Sequence, residues 1–330
     1  MTSQHAVVLQ GTGGVWQVRT DAGETLDVSL RGRLKREPGR DARERDMQDR
    51  GGGRESMRRS ALSDDASRPL KLTVGDRVTI TTVPGETSWA IDAIHPRRSQ
   101  LARRSPGGAR GERIMVANLD QVLVVFAAAR PEPHPRMLDR FLVIAEANGL
   151  LARVVINKCE LVSESTIRAQ FADQTHAGYP IHLTSVVSGE GLEALRAEVE
   201  GKSSALTGPS GVGKSSLMNR LFPGLDLRTA EISESVNKGR HTTVGAALHP
   251  LPGGGFVVDT PGLREVGLWN IAPDHLAECF PEFRPLLSTC RFADCLHTVE
   301  PGCAIRDAIQ SGQVRPGRYE SYLKLRAELL

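Results

Sequence analysis

The chain of 330 residues is poor in aromatic side chains and has no long apolar run. Phe, Trp and Tyr make up 4% of it, so Trp16 and Trp89 are interpreted as core residues rather than as a surface on which bases stack. The longest strongly apolar stretch, Val122–Ala129, is too short to span a bilayer, which takes about 20 residues. Residues 1–10 have neither a basic region nor a long apolar core, so we expect no signal peptide. These absences predict a soluble, cytoplasmic protein that does not bind membranes.

Cysteine is also scarce, with five residues in the chain, and three of them lie close together near the C-terminus. An odd number of clustered cysteines in an intracellular protein indicates metal binding rather than disulfides. The spacing is Cys290-x4-Cys295-x-His297-x5-Cys303. Three thiolates and one imidazole form a closed tetrahedral set that is typical of a structural zinc site. Cys279 is left out of this set and is interpreted as a buried residue.

The net charge of +3 hides an uneven distribution. Residues 31–69 contain twelve Arg or Lys and eight Asp or Glu, whereas residues 94–114 contain six Arg and one Glu. Positive charge in the N-terminal third indicates a polyanionic partner. For residues 31–69, which mix both signs, a solvated segment without a partner is an equal alternative. The better candidate for a patch that binds nucleic acid, with steep salt dependence, consists of Arg97, Arg98, Arg103, Arg104, Arg110 and Arg113.

The first third of the chain has five short apolar stretches bounded by Gly, Asp and Pro turn signals. They predict strands at Ala6–Gln10, Val15–Thr20, Glu24–Ser29, Arg77–Thr82 and Ser88–Ile94. Five short strands in about 100 residues are typical of a small β-barrel, for which an OB-fold is the obvious candidate. Such barrels often bind RNA or DNA on one face. We therefore predict an OB-fold-like, RNA-binding domain at residues 1–110, interrupted by a charged insertion at residues 31–69.

The most specific motif is a P-loop, G-x-x-x-x-G-K-[ST]. It matches Gly208-Pro209-Ser210-Gly211-Val212-Gly213-Lys214-Ser215-Ser216, between a predicted strand and a predicted helix. Backbone N–H groups of such a loop surround phosphate oxygens at the positive end of the helix. Lys214 adds a charge for the β- and γ-phosphates, and the Ser215 hydroxyl adds a ligand for Mg²⁺. The loop therefore predicts that a nucleoside triphosphate binds here.

Upstream of the P-loop, the apolar pattern predicts a βαβ unit of a parallel sheet, formed by Gln121–Phe126, Pro135–Asn148 and Ala152–Ile156. The second strand runs into Asn157-Lys158-Cys159-Glu160, where open α/β sheets place ligand contacts. This stretch resembles the NKxD element that reads guanine in GTPases, with Glu160 where Asp is usual. In that interpretation Asn157 bonds the base edge and the Lys158 stem packs along its face. The acid accepts from N–H groups that guanine has and adenine lacks.

Two further observations bear on the base site. Thr184-Ser185-Val186, at the end of another predicted strand, resembles the S-A-x loop that covers guanine in GTPases. Cys159 fills the free position of the NKxD-like element and is interpreted as a packing residue. An ordinary strand-end loop is the alternative for the four-residue match, and the preceding βαβ unit favours the base-reading interpretation.

Downstream of the P-loop, the predicted strand Gly255–Val258 ends in Asp259-Thr260-Pro261-Gly262, a D-x-x-G signature. Asp259 would hold Mg²⁺ and the Gly262 N–H would sense the γ-phosphate. The polar stretch between the two motifs contains His241-Thr242-Thr243, where a switch loop is expected, and either threonine is a candidate to close on Mg²⁺. Leu263 stands where Ras-like GTPases carry a water-orienting Gln, so His241 is the candidate for that role. An exposed loop histidine is the alternative.

The order of these motifs is unusual, because the base elements precede the P-loop. One parallel sheet can contain them in this order only if the chain is circularly permuted, which folded domains tolerate. We therefore predict three parts: an N-terminal all-β OB-fold barrel, a central α/β circularly permuted P-loop GTPase domain at residues 111–268, and a small α-rich zinc-binding domain at residues 269–330. Residues 318–330 have the apolar spacing of a helix that packs on the nucleotide or zinc domain.

This combination resembles the ribosome small-subunit-dependent GTPase A family over essentially the whole chain apart from residues 31–69. The resemblance implies a GTPase that acts late in maturation of the bacterial small ribosomal subunit, is stimulated by that subunit and contacts ribosomal RNA through its barrel. We expect a monomer that binds GTP and GDP, Mg²⁺ with GTP, and one structural Zn²⁺. The alternatives are an RNA-binding scaffold, in which GTP is a conformational ligand and turnover is incidental, and more weakly an ATPase.

The sequence makes one prediction about catalysis. Replacing His241 with Ala should reduce GTP turnover far more than GTP binding, because a group that only orients water contributes little to the ground state. Single-turnover hydrolysis and equilibrium binding, measured on the same preparation, separate the two effects. An equal loss of both would refute the role.

Overall fold

The computed structural model describes residues 2–31, 34, 71–104, 112–225, 227, 246–259 and 271–330. Of the predicted insertion at residues 31–69 the structure describes residues 31 and 34, and the predicted switch residues His241, Thr242, Thr243 and Gly262 lie outside the described residues. For Asp259 the description covers the backbone alone. The chain folds into two compact units, Met1–Arg97 and Arg98–Leu330. Within the described ranges, no helix has the length and apolarity needed to cross a membrane.

The first unit is a closed five-stranded barrel with the strand order β1-β2-β3-β5-β4. Among these strands β3 and β5 pair in parallel, and the other neighbours are antiparallel. Alternate residues point inward, so Val8, Val78 and Ile80 are fully buried, and Trp16 and Trp89 pack against this core. The predicted barrel is confirmed. Its strands are β1 (Ser3–Thr12), β2 (Val15–Thr20), β3 (Thr25–Leu30), β4 (Arg77–Thr82) and β5 (Trp89–Ile94).

Arg97, the last residue of the barrel unit, forms a buried ion pair with Asp76. Arg97 Nε and Nη2 donate to Asp76 Oδ1 and Oδ2 at 2.7 and 2.9 Å, and Nη2 also donates to the Lys71 carbonyl at 2.7 Å. The Arg97 side chain is 6% exposed and the Asp76 side chain is 0% exposed. The prediction that Arg97 belongs to a patch for nucleic acid is therefore wrong, because its guanidinium is used inside the barrel unit.

The second unit begins with two antiparallel strands, β6 (Gln100–Arg104) and β7 (Glu112–Ala117). The apolar pattern did not predict these two strands, which pair around part of the predicted arginine patch. Arg98 precedes β6, is 71% exposed and lies 3.2 Å from Asp120. Thus Arg98 faces solvent, in contrast to its neighbour in the sequence.

The centre of the second unit is a six-stranded sheet with the order β10-β9-β8-β11-β13-β12. All neighbours are parallel except β12 with β13. β8 is buried at every position because both its edges are paired and its faces are covered. The strands are β8 (Gln121–Ala127), β9 (Leu151–Asn157), β10 (Ile181–Leu183), β11 (Ser203–Thr207), β12 (Ala247–Pro250) and β13 (Phe256–Asp259).

The described residues of the second unit contain seven α-helices. Five of them lie among the sheet strands in the sequence, and the last two follow in the C-terminal segment. Proline in the first turn of α1 suits the start of a helix, where its missing N–H is not needed. The helix buries Leu138 and Leu142, as its apolar spacing predicted. The helices are α1 (Pro135–Ala147), α2 (Glu164–Gln170), α3 (Ala172–His176), α4 (Leu192–Val199), α5 (Lys214–Leu221), α6 (Ala304–Gln310) and α7 (Pro316–Leu329).

The C-terminal segment packs on α1. Two 3-10 helices, Leu276–Cys279 and Arg284–Thr289, precede α6 and the predicted terminal helix α7. Phe280 and Phe283 stack with their ring centroids 4.9 Å apart. The Tyr322 ring of α7 meets both edge-on at 5.6 and 5.5 Å. These rings form the local core that joins α7 to the 3-10 segment.

Replacing Arg97 with Met should destabilise the barrel by roughly 3–5 kcal/mol, because the Asp76 carboxylate would remain buried without its cation. Denaturant unfolding followed by tryptophan fluorescence measures this change.

The matched control is Arg77→Met. It removes the Arg77–Asp21 pair, whose side chains are 53% and 59% exposed. That pair should contribute less than about 1 kcal/mol. Similar losses for the two variants would contradict a structural role for the buried pair.

Candidate nucleotide and metal sites

The P-loop connects β11 to α5, and its glycines adopt backbone conformations that side chains disfavour. Gly208, Gly211 and Gly213 have φ values of +134°, +78° and +91°. A Cβ on Gly208 would collide with the Val125 carbonyl oxygen of β8. Glycine at position 208 therefore lets the loop begin directly against the central strand.

The remaining P-loop residues sit at the start of α5. Lys214 is the first residue of the helix, and Ser215 lies in its first turn beside the loop. Lys214 Nζ donates to the carbonyls of Gly208 and Pro209 at 2.9 and 2.7 Å. The ammonium group therefore already lies over the loop whose N–H groups would bind phosphate.

The predicted base-reading element lies against the P-loop, although 55 positions separate Asn157 from Val212. The buried Asn157 Nδ2 donates to the Val212 carbonyl at 2.9 Å, and its Oδ1 accepts from Thr184 Oγ1 at 3.4 Å. Lys158 Nζ donates to the Gly211 carbonyl at 2.8 Å. These contacts give Asn157 and Lys158 a positioning role that the sequence did not predict.

Lys158 also connects the P-loop to a third segment of the chain. Its Nζ also donates to the Arg130 carbonyl at 2.5 Å, in the loop between β8 and α1. The backbone of Lys158 is left-handed, with φ at +61°. That conformation turns the chain sharply after β9, so the lysine side chain reaches two loops at once.

Cys159 and Glu160 form the 3-10 turn that follows. The Cys159 Sγ lies 3.6 Å from Glu190 Oε2. Burial, together with Glu190, raises the pKa of this thiol to about 11. A neutral thiol at physiological pH agrees with a packing role. The Glu160 side chain is exposed at the same edge of the sheet.

The Thr184–Val186 loop lies beside the Asn157 element. Thr184 and Ser185 are fully buried. The Thr184 N–H donates to the Ile156 carbonyl at 2.9 Å, and the Cys159 N–H donates to the Thr184 carbonyl at 3.1 Å. The two predicted base motifs thus form one hydrogen-bonded unit.

The backbone of Asp259 ends β13, which pairs with the P-loop strand β11. In a parallel sheet the carboxyl ends of neighbouring strands meet at one edge. That edge therefore collects the ends of β9, β11 and β13. Because the four predicted switch residues lie outside the described residues, the described part of the site comprises the base elements and the P-loop.

A second cluster, made of Cys290, Cys295, His297 and Cys303, lies in the C-terminal segment. Its four candidate ligand atoms all lie within 4.8 Å of one another. His297 Nδ1 is 3.5 Å from the sulfurs of both Cys290 and Cys303. Three sulfurs and one nitrogen at these separations are able to hold a metal ion.

The loop that carries the metal cluster is held by a side chain that the sequence analysis missed. The Glu300 carboxylate accepts from the backbone N–H groups of Leu296, Thr298 and Val299 at 3.1, 2.8 and 3.0 Å. Burial opposes its ionisation, but its own backbone N–H together with these three donors lowers the pKa of Glu300 to about 2. A charged residue between two metal ligands was the only signal in the sequence.

The family model described as RsgA GTPase matches residues 94–269, which contain both base elements and the P-loop. The chain belongs to the RsgA GTPase family. A protein of Gemmatimonas aurantiaca named small ribosomal subunit biogenesis GTPase RsgA is 66% identical over 330 residues, covering 100% of this chain and 98% of that protein. A protein of the same name from Bacteroides fragilis is 33% identical over 322 residues, covering 97% and 95%.

Two solved structures extend the likeness to the whole fold. YjeQ from Thermotoga maritima is 33% identical, with a TM-score of 0.75 and 99% of each chain covered. YloQ, described as a circularly permuted GTPase, is 26% identical, with a TM-score of 0.70 and coverage of 99% and 95%. Membership of the RsgA GTPase family confirms the predicted enzyme class, GTP hydrolysis, and the predicted permuted fold.

Replacing Gly208 with Ala should abolish tight GDP binding, because the new methyl group meets the Val125 carbonyl and the backbone cannot retain its φ. Isothermal titration with GDP measures the loss. Gly189→Ala is the control, since Gly189 has φ at +87° but no atom within 4 Å of its Cβ position. Equal GDP affinity in the two variants would show that the close approach to β8 does not shape the loop.

Proposed function

We propose that this chain hydrolyses GTP to GDP in the late maturation of the small ribosomal subunit, and that the subunit stimulates the reaction. The proposal that GTP binds here rests on the hydrogen bonds of Asn157 and Lys158 to the P-loop carbonyls. A nucleotide with its phosphates in that loop has its base beside the Asn157 element. The name of the relatives, small ribosomal subunit biogenesis GTPase, supports the choice of partner.

The residues around the nucleotide divide into a phosphate side and a base side. Residues 208–216 surround the phosphates through their backbone N–H groups, with Lys214 as the cation. The exposed Glu160 carboxylate accepts from guanine, and adenine would leave this acceptor unpaired. The base side consists of Asn157, Lys158, Cys159, Glu160, Thr184, Ser185 and Val186.

Hydrolysis requires Mg²⁺, which neutralises charge on the phosphates. Ser215 stands at the start of α5 and Asp259 at the end of the neighbouring β13, so these two residues are the proposed magnesium ligands. Thr242 or Thr243 closes on the γ-phosphate side together with the Gly262 N–H. His241 orients the attacking water, because Leu263 has no group that can do so.

The metal cluster is proposed to hold one structural Zn²⁺. Its donor set, Cys290, Cys295, His297 and Cys303, fits tetrahedral zinc and leaves no position for water. Zinc bound there would supply charge neutralisation and folding energy to the C-terminal segment rather than chemistry. Glu300 and α7 already shape the loop on which the ligands lie.

The remaining proposals concern organisation and partners. We divide the chain into a barrel domain at residues 1–110, a GTPase domain at residues 111–268 and a zinc-binding domain at residues 269–330. The barrel, with the exposed Arg98 and the arginines after it, is proposed to contact ribosomal RNA. The protein is proposed to act as a cytoplasmic monomer. The scaffold alternative, with incidental turnover, is not favoured by membership of a GTPase family.

GTP hydrolysis should be slow alone and should rise at least about tenfold with purified bacterial small subunits, as activators of P-loop GTPases typically achieve. ATP should not be turned over. Multiple-turnover phosphate release measures both rates.

Large ribosomal subunits serve as the matched control for the partner, and Lys214→Ala serves as the control for contaminating GTPases. Stimulation by both subunits, or by neither, would contradict the proposed partner. Equal use of ATP would contradict the proposed base site.

A further inference from the structure

Arg318 of the terminal helix α7 is completely buried, and it bridges two carboxylates from different parts of the fold. Its Nη1 donates to Asp139 Oδ1 at 2.6 Å. Its Nε donates to Glu282 Oε1 at 2.6 Å, and its Nη2 donates to Glu282 Oε2 at 3.3 Å. The guanidinium also lies over the Phe280 ring, 4.7 Å from its centroid. Such a cation holds its partners in one arrangement, because moving one carboxylate away would leave a buried charge without a partner.

Asp139 is the point at which three helices meet. It lies in the second turn of α1 and is 2% exposed. Besides Arg318, it accepts from Ser321 Oγ of α7 at 2.5 Å and from Gln174 Nε2 of α3 at 2.7 Å. All of its described side-chain partners therefore come from other helices, and α7 supplies two of them. The C-terminal helix therefore supplies buried polar contacts to α1, which also packs on β8, β9 and the 3-10 helix Leu276–Cys279.

Helix α1 continues directly from the loop that carries Arg130 and Pro131. The Arg130 carbonyl accepts from Lys158 Nζ, and Pro131 Cδ is 3.7 Å from the Cβ position of Gly211 in the P-loop. A displacement of α1 therefore moves an acceptor of the base-site lysine. The contacts of α7 with α1, and the short chain segment between Arg130 and α1, thus connect the C-terminal helix with the proposed nucleotide site.

The same helix also holds the metal loop. The hydroxyl groups of Tyr319 and Tyr322 donate to the carbonyls of His297 and Leu296, both at 2.8 Å. Tyr319 and Tyr322 each directly follow a residue that binds Asp139, in positions 318 and 321. Because neighbouring residues of α7 make both sets of bonds, the metal loop and α1 are linked through one rigid helix.

We propose that Arg318 is a positioning residue for the nucleotide site, and that through it the C-terminal segment raises the affinity for guanine nucleotide. This inference rests on the proposed role of Lys158 at the base. Arg318 fixes α1, α1 fixes the Arg130 carbonyl, and that carbonyl holds the Lys158 ammonium. Because this route ends at Lys158, which is proposed to contact the base rather than the γ-phosphate, the effect of Arg318 falls on binding rather than on the hydrolytic step.

The test compares GDP affinity in the wild type, Arg318→Met and Asp139→Asn, each prepared as the full chain. Both variants should weaken GDP binding by at least about threefold, which is within the range found for residues that couple sites. The KM for GTP should rise in parallel, while kcat changes by less than about twofold. The double variant should lose less than the product of the two single effects, because both residues act through one contact.

Arg136→Met is the matched control. It removes the Arg136–Glu320 pair between the same two helices, whose side chains are 56% and 55% exposed. It should leave GDP affinity unchanged. Circular dichroism and metal content, compared with the wild type, show whether each variant is folded and loaded.

Two results would overturn the inference. The first is a folded Arg318→Met or Asp139→Asn protein that binds GDP as the wild type does, since a purely structural contact lowers the melting temperature alone. The second uses the wild type and does not depend on the variants: because coupling is reciprocal, GDP should slow hydrogen exchange in α7, and unchanged exchange would contradict it. Failure of the wild type to bind GDP would instead refute the proposed function.

Discussion

Two hydrogen bonds from the end of β9 determine how the nucleotide site is built. Asn157 and Lys158 donate to consecutive carbonyls of the P-loop, so the loop is held from the side as well as by its own strand. The carbonyls of Gly211 and Val212 are thereby bound from outside the loop, and backbone N–H groups of such a loop are the groups that bind phosphate. The buried strand β8 supports both partners, since it pairs with β9 on one edge and with β11 on the other.

Much of this arrangement could be predicted from the sequence, because the decisive features are local. The barrel strands alternate, the P-loop has fixed glycine positions, and the candidate metal ligands lie within one short segment. The antiparallel pair β6 and β7 was missed because Ser, Pro and Gly between the two strands, with arginines on both sides, are typical of a loop that links domains. The burial of Arg97 was missed for a related reason: a charge pattern does not reveal that Asp76, 21 positions away, lies inside the same barrel unit.

The contacts of α7 belong to a third class, which no local pattern contains. Arg318 and Asp139 are 179 positions apart, and each has an ordinary helical neighbourhood in the sequence. They become partners only when α1, α3 and α7 pack together in the folded chain. Glu300 was partly predictable. Its place between two candidate metal ligands indicated a role, but its three N–H donors are brought together only in the folded loop. Long-range polar contacts of this kind could therefore not be predicted from the sequence.

The permuted order also has a consequence for synthesis. Gln121 of β8 and Ser204 of β11 are hydrogen-bonded neighbours although they are 83 positions apart. A chain leaving the ribosome therefore exposes one edge of its most apolar strand until β11 follows, and exposed strand edges invite wrong pairing. The proposed base element, at residues 157–160, is synthesised long before the P-loop at residues 208–216. A newly made chain lacks the P-loop until β11 has been added to the centre of the sheet, so nucleotide binding at the proposed site requires that translation has passed residue 216.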